Sequence, residues 1–176
     1  MRQEPYKTLV EKLIAALVRK YRDRLVSLII FGSVAREEAR KDSDIDVLLI
    51  IDLLPKGRLE RQMEFIDVEK DIEGYLNDLF EKGYSIDLAP IIRTPQEALR
   101  ISPLYLDMVE DAIIAYDKDN FFKNILRTIR NRLRELGSKR VKMGKKRYWI
   151  LKPDYSFGEV INIGQHRNGR VISDPG

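Results

Sequence analysis

One stretch constrains this 176-residue chain more than any other: Leu28 to Ile51, LIIFGSVAREEARKDSDIDVLLII. Leu28-Ile29-Ile30-Phe31 is a β-branched and aromatic run that Gly32 ends, the pattern of a buried strand running into a turn. A short polar segment follows, and then Asp44-Ile45-Asp46-Val47-Leu48-Leu49-Ile50-Ile51 reads as a second apolar strand opening on two acids. Residues i and i+2 of an extended chain point to one face, roughly 6–7 Å apart. Two carboxylates on one face, opposite a Gly-Ser turn, suit a hard, oxygen-seeking cation and a phosphate chain. The competing reading makes Asp44 and Asp46 turn and cap residues after Lys41-Asp42-Ser43. Only their company argues against it.

The rest of the chain supplies helices and one further strand. Tyr6, Leu9, Val10, Leu13, Ile14, Leu17, Val18 and Tyr21 recur at i, i+3, i+4, i+7, with Lys and Glu between them, which predicts an amphipathic first helix. Asp23 ends it, and Leu25–Phe31 is the first strand. From Arg58 to Lys82 the pattern is helical, with an interruption expected near Asp71–Gly74 and a stop at Gly83. Tyr84–Ile92 reads as a third strand that contains Asp87. Thr94-Pro95-Gln96-Glu97 has the cap, the proline at the first helical position and the returning Glu of a capping box. Ser102-Pro103 repeats the device before a helix expected to carry Leu104, Met108, Ile113 and Ile114. Phe121–Leu136 is a basic amphipathic helix, and 139–149 is a basic run that closes on Tyr148-Trp149.

Gly32-Ser33, ten intervening residues, then Asp44-Ile45-Asp46 resembles the signature of the DNA polymerase β-type nucleotidyltransferase superfamily. More narrowly, the chain is similar to the minimal nucleotidyltransferases of prokaryotes, which often stand beside a HEPN-domain protein in toxin–antitoxin pairs. The resemblance covers about residues 5–115, and the tail Tyr148-Trp149…Lys152-Pro153-Asp154…Gly158-Glu159 is similar to an extension found in some members. It implies an α/β fold, a small mixed sheet flanked by helices, with a C-terminal helical and basic extension. It also implies roles. Gly32 and Ser33 would bind the nucleotide phosphates, Asp44 and Asp46 would hold Mg²⁺, and Asp87 would be the third carboxylate, both metal ligand and proton acceptor. Two Mg²⁺ ions and ATP or another NTP are the implied cofactor and substrate. One departure is Glu37, where many relatives carry Gly; it is expected to lengthen the helix start and leave the motif intact. Three clustered acids without cations repel one another, so an empty site should be destabilised.

Composition narrows the alternatives. The chain has no cysteine, which excludes disulfides and thiolate chemistry. Its one histidine, His166, lies near the C-terminus, which argues against a Ser-His-Asp site. No run approaches the length of a membrane span, so a cytoplasmic protein with no membrane partner is expected. Residues 1–122 carry 18 Lys+Arg against 24 Asp+Glu, and residues 123–176 carry 14 against 4. An acidic body with a basic arm implies an anionic partner for the arm, or docking of the one on the other.

The expected organisation is a nucleotidyltransferase domain over 1–117, a basic helix and extended arm over 118–163, and a disordered tail over 164–176. The expected activity is Mg²⁺-dependent transfer of a nucleotide, AMP from ATP foremost, to an acceptor hydroxyl on a HEPN-type partner protein. Two other readings stay open. One is a small-molecule acceptor, which calls for a deep cleft with extra acids. The other is a non-catalytic antitoxin or RNA-binding module, with nucleic acid contacting 139–149 and Tyr148 and Trp149 stacking on bases.

Overall fold

The computed structural model describes residues 4–144 and 146–163. The expected tail 164–176, His166 included, lies outside them. The elements are α1 (Tyr6–Tyr21), β1 (Leu25–Phe31), α2 (Gly32–Ala35), β2 (Ile45–Ile51), α3 (Arg58–Glu81), β3 (Leu88–Arg93), α4 (Pro95–Ala98), α5 (Leu104–Asp111), β4 (Ile113–Asp117), α6 (Phe121–Glu135), β5 (Lys139–Met143) and β6 (Lys146–Ile150). The fold is α/β, with a four-stranded sheet in the order β3-β2-β1-β4. β1 runs antiparallel to both β2 and β4, while β2 and β3 are parallel, so the sheet is mixed.

Strand alternation sorts the core into two layers. Leu28, Ile30, Val47 and Leu49 face one side and pack with the apolar stripe of α1 and with Phe65, Val68, Ile72 and Leu79 of α3. Ile29, Leu48 and Ile50 face the other and meet Tyr105, Met108 and Val109 of α5 and Phe122, Ile125, Ile129 and Leu133 of α6. The central strands β1 and β2 are apolar on both faces because helices cover both. α6, which follows the boundary expected at residue 117, is one of the two helices that cover the second face.

Three local expectations are corrected, and one region gains a structure. α3 runs unbroken across Asp71–Gly74; Gly74 meets open space, and a lone glycine there costs about 1 kcal/mol, which a helix of 24 residues absorbs. β3 begins at Leu88 rather than Tyr84, so Asp87 stands one residue before the strand. Ile113 and Ile114 belong to β4 and not to α5: the β-branched pair adds to the free edge of β1, and the helix stops at Asp111. The basic run 139–149 is an antiparallel hairpin, β5–β6, with Arg140 opposite Trp149 and Lys142 opposite Arg147.

Candidate active site

The motif residues collect at one end of the sheet, where β1 finishes and the parallel strands β2 and β3 begin. Phe31 is in register with Asp46, which carries Gly32 alongside that carboxylate. The loop joining α2 to β2 is pinned from two sides and braced within itself. The Tyr6 hydroxyl of α1 donates to the Arg40 carbonyl, and the Arg40 N–H donates to Ser43 Oγ at 2.9 Å. The Ser85 N–H donates to the Lys41 carbonyl at 2.8 Å. Tyr6 is thus both a core residue and a clamp on the loop that presents the acids.

Gly32 is required by the space beside it. Its φ is +71°, and a Cβ built there would lie 1.9 Å from Asp46 Oδ2 and 2.9 Å from Cγ. No other residue type lets the backbone come this close to the carboxylate. Asp46 is half-buried, and Asp44, two residues earlier, is exposed. Burial and then the neighbouring Asp44 charge push the Asp46 carboxyl above its ordinary value, while the Arg36 guanidinium acts in the opposite direction. That is the signature of two acids sharing a face.

The helix that opens at Gly32 is four residues long, and Ser33 is its second residue. No side chain caps this helix, and the Ser33 hydroxyl makes no capping bond. Glu37 does not extend it either. Glu37 has a left-handed φ of 58° and ends the turn, a conformation that suits glycine.

Asp87 reaches the same end of the sheet by register. Its carbonyl accepts the Ile45 N–H at 2.9 Å, which sets it beside Asp44 on the edge strand's approach. Its carboxylate is exposed, and its charge acts on Glu69 of α3, whose carboxyl is raised by burial and then by Asp87. Among the described residues no group of three or more acidic, histidine or cysteine side chains has the spacing of a metal site. The two carboxylates Asp44 and Asp46 nevertheless fit a magnesium ion, which takes one or two protein carboxylates and fills its remaining positions with water and substrate phosphate.

A pocket of about 180 Å³ opens at this end, lined by Phe31, Gly32, Arg36, Asp46, Leu104, Asp107, Met108 and Asp111. Arg36, Asp107 and Asp111 were not among the expected site residues. Asp107 and Asp111 are spaced i, i+4 on a helix whose other inward residues are apolar, the one signal in the sequence that marks them. Arg36 donates from Nε to Glu38 at 2.9 Å and also lines the pocket. Larger cavities of about 410 and 450 Å³ lie elsewhere, one beneath Lys56, Arg58 and Arg93 and the other beside Leu99 and Phe121, and none of the motif residues lines them.

The C-terminal hairpin rests against this pocket. Arg140 grips Asp111 with both η-nitrogens, at 2.7 and 2.6 Å, and approaches Asp107 at 3.5 Å. Trp149 Nε1 donates to Asp107 at 3.3 Å, and Arg147 donates to Glu38 at 2.5 Å. The two bonds from Arg147 and Arg36 pull the Glu38 carboxyl down to about 2. The same cause, a guanidinium held face to face, lowers Asp111.

The chain is similar in sequence to known proteins over much of its length. The sequence family described as nucleotidyltransferase domain matches residues 10–102. A Methanocaldococcus jannaschii protein named provisionally as a protein adenylyltransferase is 33% identical over 132 residues, 74% of this chain and 84% of the relative. A second protein of that organism, similarly named, is 41% identical over 44 residues, 25% of this chain and 44% of its own. Among solved structures, a toxin–antitoxin crystal structure with AMP-PNP is similar at a TM-score of 0.41 and 16% identity, covering 73% of this chain and 92% of that one. With the matched segment running from α1 through α4 and holding the Gly-Ser turn, Asp44 and Asp46, the chain belongs to the nucleotidyltransferase domain family and is a nucleotidyltransferase.

Proposed function

We propose that this end of the sheet transfers a nucleotide, AMP from ATP, to a hydroxyl group of a partner protein. The observation that carries the reading is the contact of Gly32 with Asp46. A backbone with no Cβ lies against a half-buried carboxylate whose neighbour two residues away is a second acid. Such a place accepts a phosphate chain on the glycine side and a cation on the carboxylate side.

The roles follow from the placement. Gly32 lets the triphosphate approach the main chain, and the Ser33 hydroxyl donates to a phosphate oxygen. Asp44 and Asp46 hold Mg²⁺, which neutralises developing charge on the phosphates when bound. Asp87, at the start of β3, is the third carboxylate. The acceptor oxygen forms a bond to the α-phosphorus, the bond from that phosphorus to the bridging oxygen breaks, and pyrophosphate leaves. The acceptor's proton passes to Asp87.

A protein acceptor is supported by the adenylyltransferase name of the M. jannaschii relative, and the motif's resemblance favours a HEPN-type partner. The small-molecule reading has one observation in its favour, the extra acids Asp107 and Asp111 in the pocket wall. Both are already engaged by Arg140 or Trp149. The nucleic-acid reading is weakened in the same way, because Arg140, Arg147 and Trp149 of the basic run are turned onto the body. No helix among the described residues is long and apolar enough to cross a membrane.

The test is label transfer from α-³²P-ATP with Mg²⁺ into co-expressed macromolecules, wild type against Asp44→Ala/Asp46→Ala. A labelled protein band that appears only with the wild type is the expected result and identifies the acceptor. Label in RNA would move the acceptor to nucleic acid. Absence of label, with the double variant retaining the wild type's partners, would leave a binding module in place of an enzyme.

A further inference from the structure

The cavity of about 410 Å³ lies toward the C-terminal end of β3, away from the acids that cluster where that strand begins. Pro90, Ile91 and Ile92 of this edge strand give it an apolar lining, and Lys56, Arg58, Arg93 and Arg100 give it charge. That charge is not the average of its surroundings, since residues 1–122 carry 18 Lys+Arg against 24 Asp+Glu. The one acid in the lining, Glu97, is already held by Arg61 at 2.7 and 2.9 Å. None of the other four cations has a carboxylate partner among the described residues. Glu60 folds back against Gly57 at the first turn of α3 and is not part of the lining.

Arg61 organises the group. Its side chain is only 11% exposed; it donates to the Pro55 carbonyl at 2.6 Å, approaches the Ile92 carbonyl at 3.5 Å and grips Glu97. Each anchor stands beside a cation. Lys56 follows Pro55, Arg93 follows Ile92, and the Arg100 N–H donates to the Glu97 carbonyl at 3.1 Å. Arg93 is braced by the Tyr105 ring, whose centroid is 5.7 Å from the guanidinium carbon. One internal ion pair thus gathers cations from the loop before α3, from β3 and from the end of α4. A cleft lined by one sign of charge focuses its field on an incoming counter-ion. The cavity's volume lies within the roughly 300–1,000 Å³ of sites that hold small ligands. No aromatic ring lines it, so a base has nothing to stack on, as a nucleic-acid strand would require. Guanidinium forks match phosphate oxygens instead.

We propose that this cavity is a second anion site, separate from the transfer site, which binds a small molecule through a di- or triphosphate group. Lys56, Arg58, Arg93 and Arg100 meet the phosphate oxygens, and Pro90, Ile91 and Ile92 pack against the rest of the molecule. Arg61 and Glu97 hold the elements that carry them. No divalent cation is needed here. That separates the cavity from Asp44 and Asp46, whose charges repel a phosphate chain unless a cation lies between.

The test is isothermal titration of the full-length chain with tripolyphosphate in the presence of EDTA, which keeps divalent cations away from the acids. One site per chain is expected for the wild type. Arg58→Ala/Arg100→Ala should weaken it about tenfold or more, the loss of charge-assisted bonds to phosphate. Both side chains are exposed and make no ion pair, so this variant should melt like wild type. Lys123→Ala/Arg127→Ala takes the same charge from the exposed face of α6 and should leave the affinity unchanged. Asp44→Asn/Asp46→Asn should bind tripolyphosphate as wild type does. Absence of wild-type binding would overturn the site, and so would equal weakening in the α6 variant, since binding would then follow net charge. A site that survives Arg58→Ala/Arg100→Ala would place the phosphates elsewhere on the chain. Oligo(U) RNA is titrated in parallel. Binding of RNA through Arg58 and Arg100, with none of tripolyphosphate, would give the surface to nucleic acid and overturn the small-molecule site.

Discussion

At the scale of single residues, the site turns on a contact that only one amino acid permits. Replacing Gly32 with Ala places a methyl carbon 1.9 Å from Asp46 Oδ2 and forces a side chain onto a φ of +71°. The strain of a left-handed non-glycine residue is about 1–2 kcal/mol, and the clash adds to it. Relief requires Asp46 to turn away from the turn or β1 and β2 to part. Either route moves the carboxylate from the phosphates it faces. Gly32→Ala is therefore expected to lower label transfer from α-³²P-ATP by about 100-fold, the scale of a misplacement of about 1 Å, while the chain still folds by circular dichroism. Wild-type transfer by this variant would remove Gly32 from the site. The position was legible because Gly-Ser ends an apolar run and the acids follow at a fixed interval. Glu37 was misread for a related reason: its helix-forming side chain argued for extension, while the backbone there needs a positive φ that sequence propensity does not report.

At the scale of elements, what could be read was what rests on local chemistry. The Thr94 capping box is present as expected, with Thr94 Oγ1 accepting the Glu97 N–H at 3.2 Å and Glu97 returning to the Thr94 N–H at 2.9 Å. What escaped was decided by partners far away in sequence. β4 exists because β1 has an edge to fill, and the hairpin's inner face exists because α5 and Glu38 carry its counter-charges. The cap of α6 is another such case. The residue before the helix, Asn120, provides no side-chain cap, and Asp117 does so from the end of β4. Its carboxylate accepts the N–H groups of Phe122 and Lys123 at 2.9 and 3.0 Å and the hydroxyl of buried Ser27 at 2.6 Å. One side chain thus joins helix, β1 and β4. Asp117→Ala removes a cap and leaves the Ser27 hydroxyl buried without its acceptor, which should cost about 2–3 kcal/mol. Urea unfolding monitored by Trp149 emission and far-ultraviolet dichroism measures it, and a loss under about 0.5 kcal/mol would show that water replaces the carboxylate.

At the scale of the whole molecule, the acidic body and the basic C-terminal region are reconciled by docking, since Arg140 and Arg147 seat the second on the first. Most of the shifted carboxyls are lowered by such partners: Glu38, Asp67, Glu97, Asp111 and Glu159 all sit against Arg or Lys. Each contributes stability that is present above its unfolded value and lost as the pH falls through its folded one. Asp46 runs the other way. Its carboxyl is raised by burial and by Asp44, so its penalty is absent below the ordinary value of 3.8 and grows as the pH rises through the folded value. In a chain free of divalent cations, Asp46→Asn should therefore melt higher than wild type at pH 7. The gain is on the order of 2–4 °C, what about 1 kcal/mol gives in a chain of this size. The half-exposed setting keeps it from being larger. The difference should narrow as the pH is lowered toward 4, where wild-type Asp46 takes up its proton. Millimolar Mg²⁺ should raise the wild-type melting temperature and leave Asp46→Asn unmoved, while label transfer is lost in the variant. A variant that melts lower than wild type at pH 7 without cation would mean that the Asp46 carboxylate is held by favourable bonds, and the crowded acid pair would then be structural rather than a place prepared for a cation.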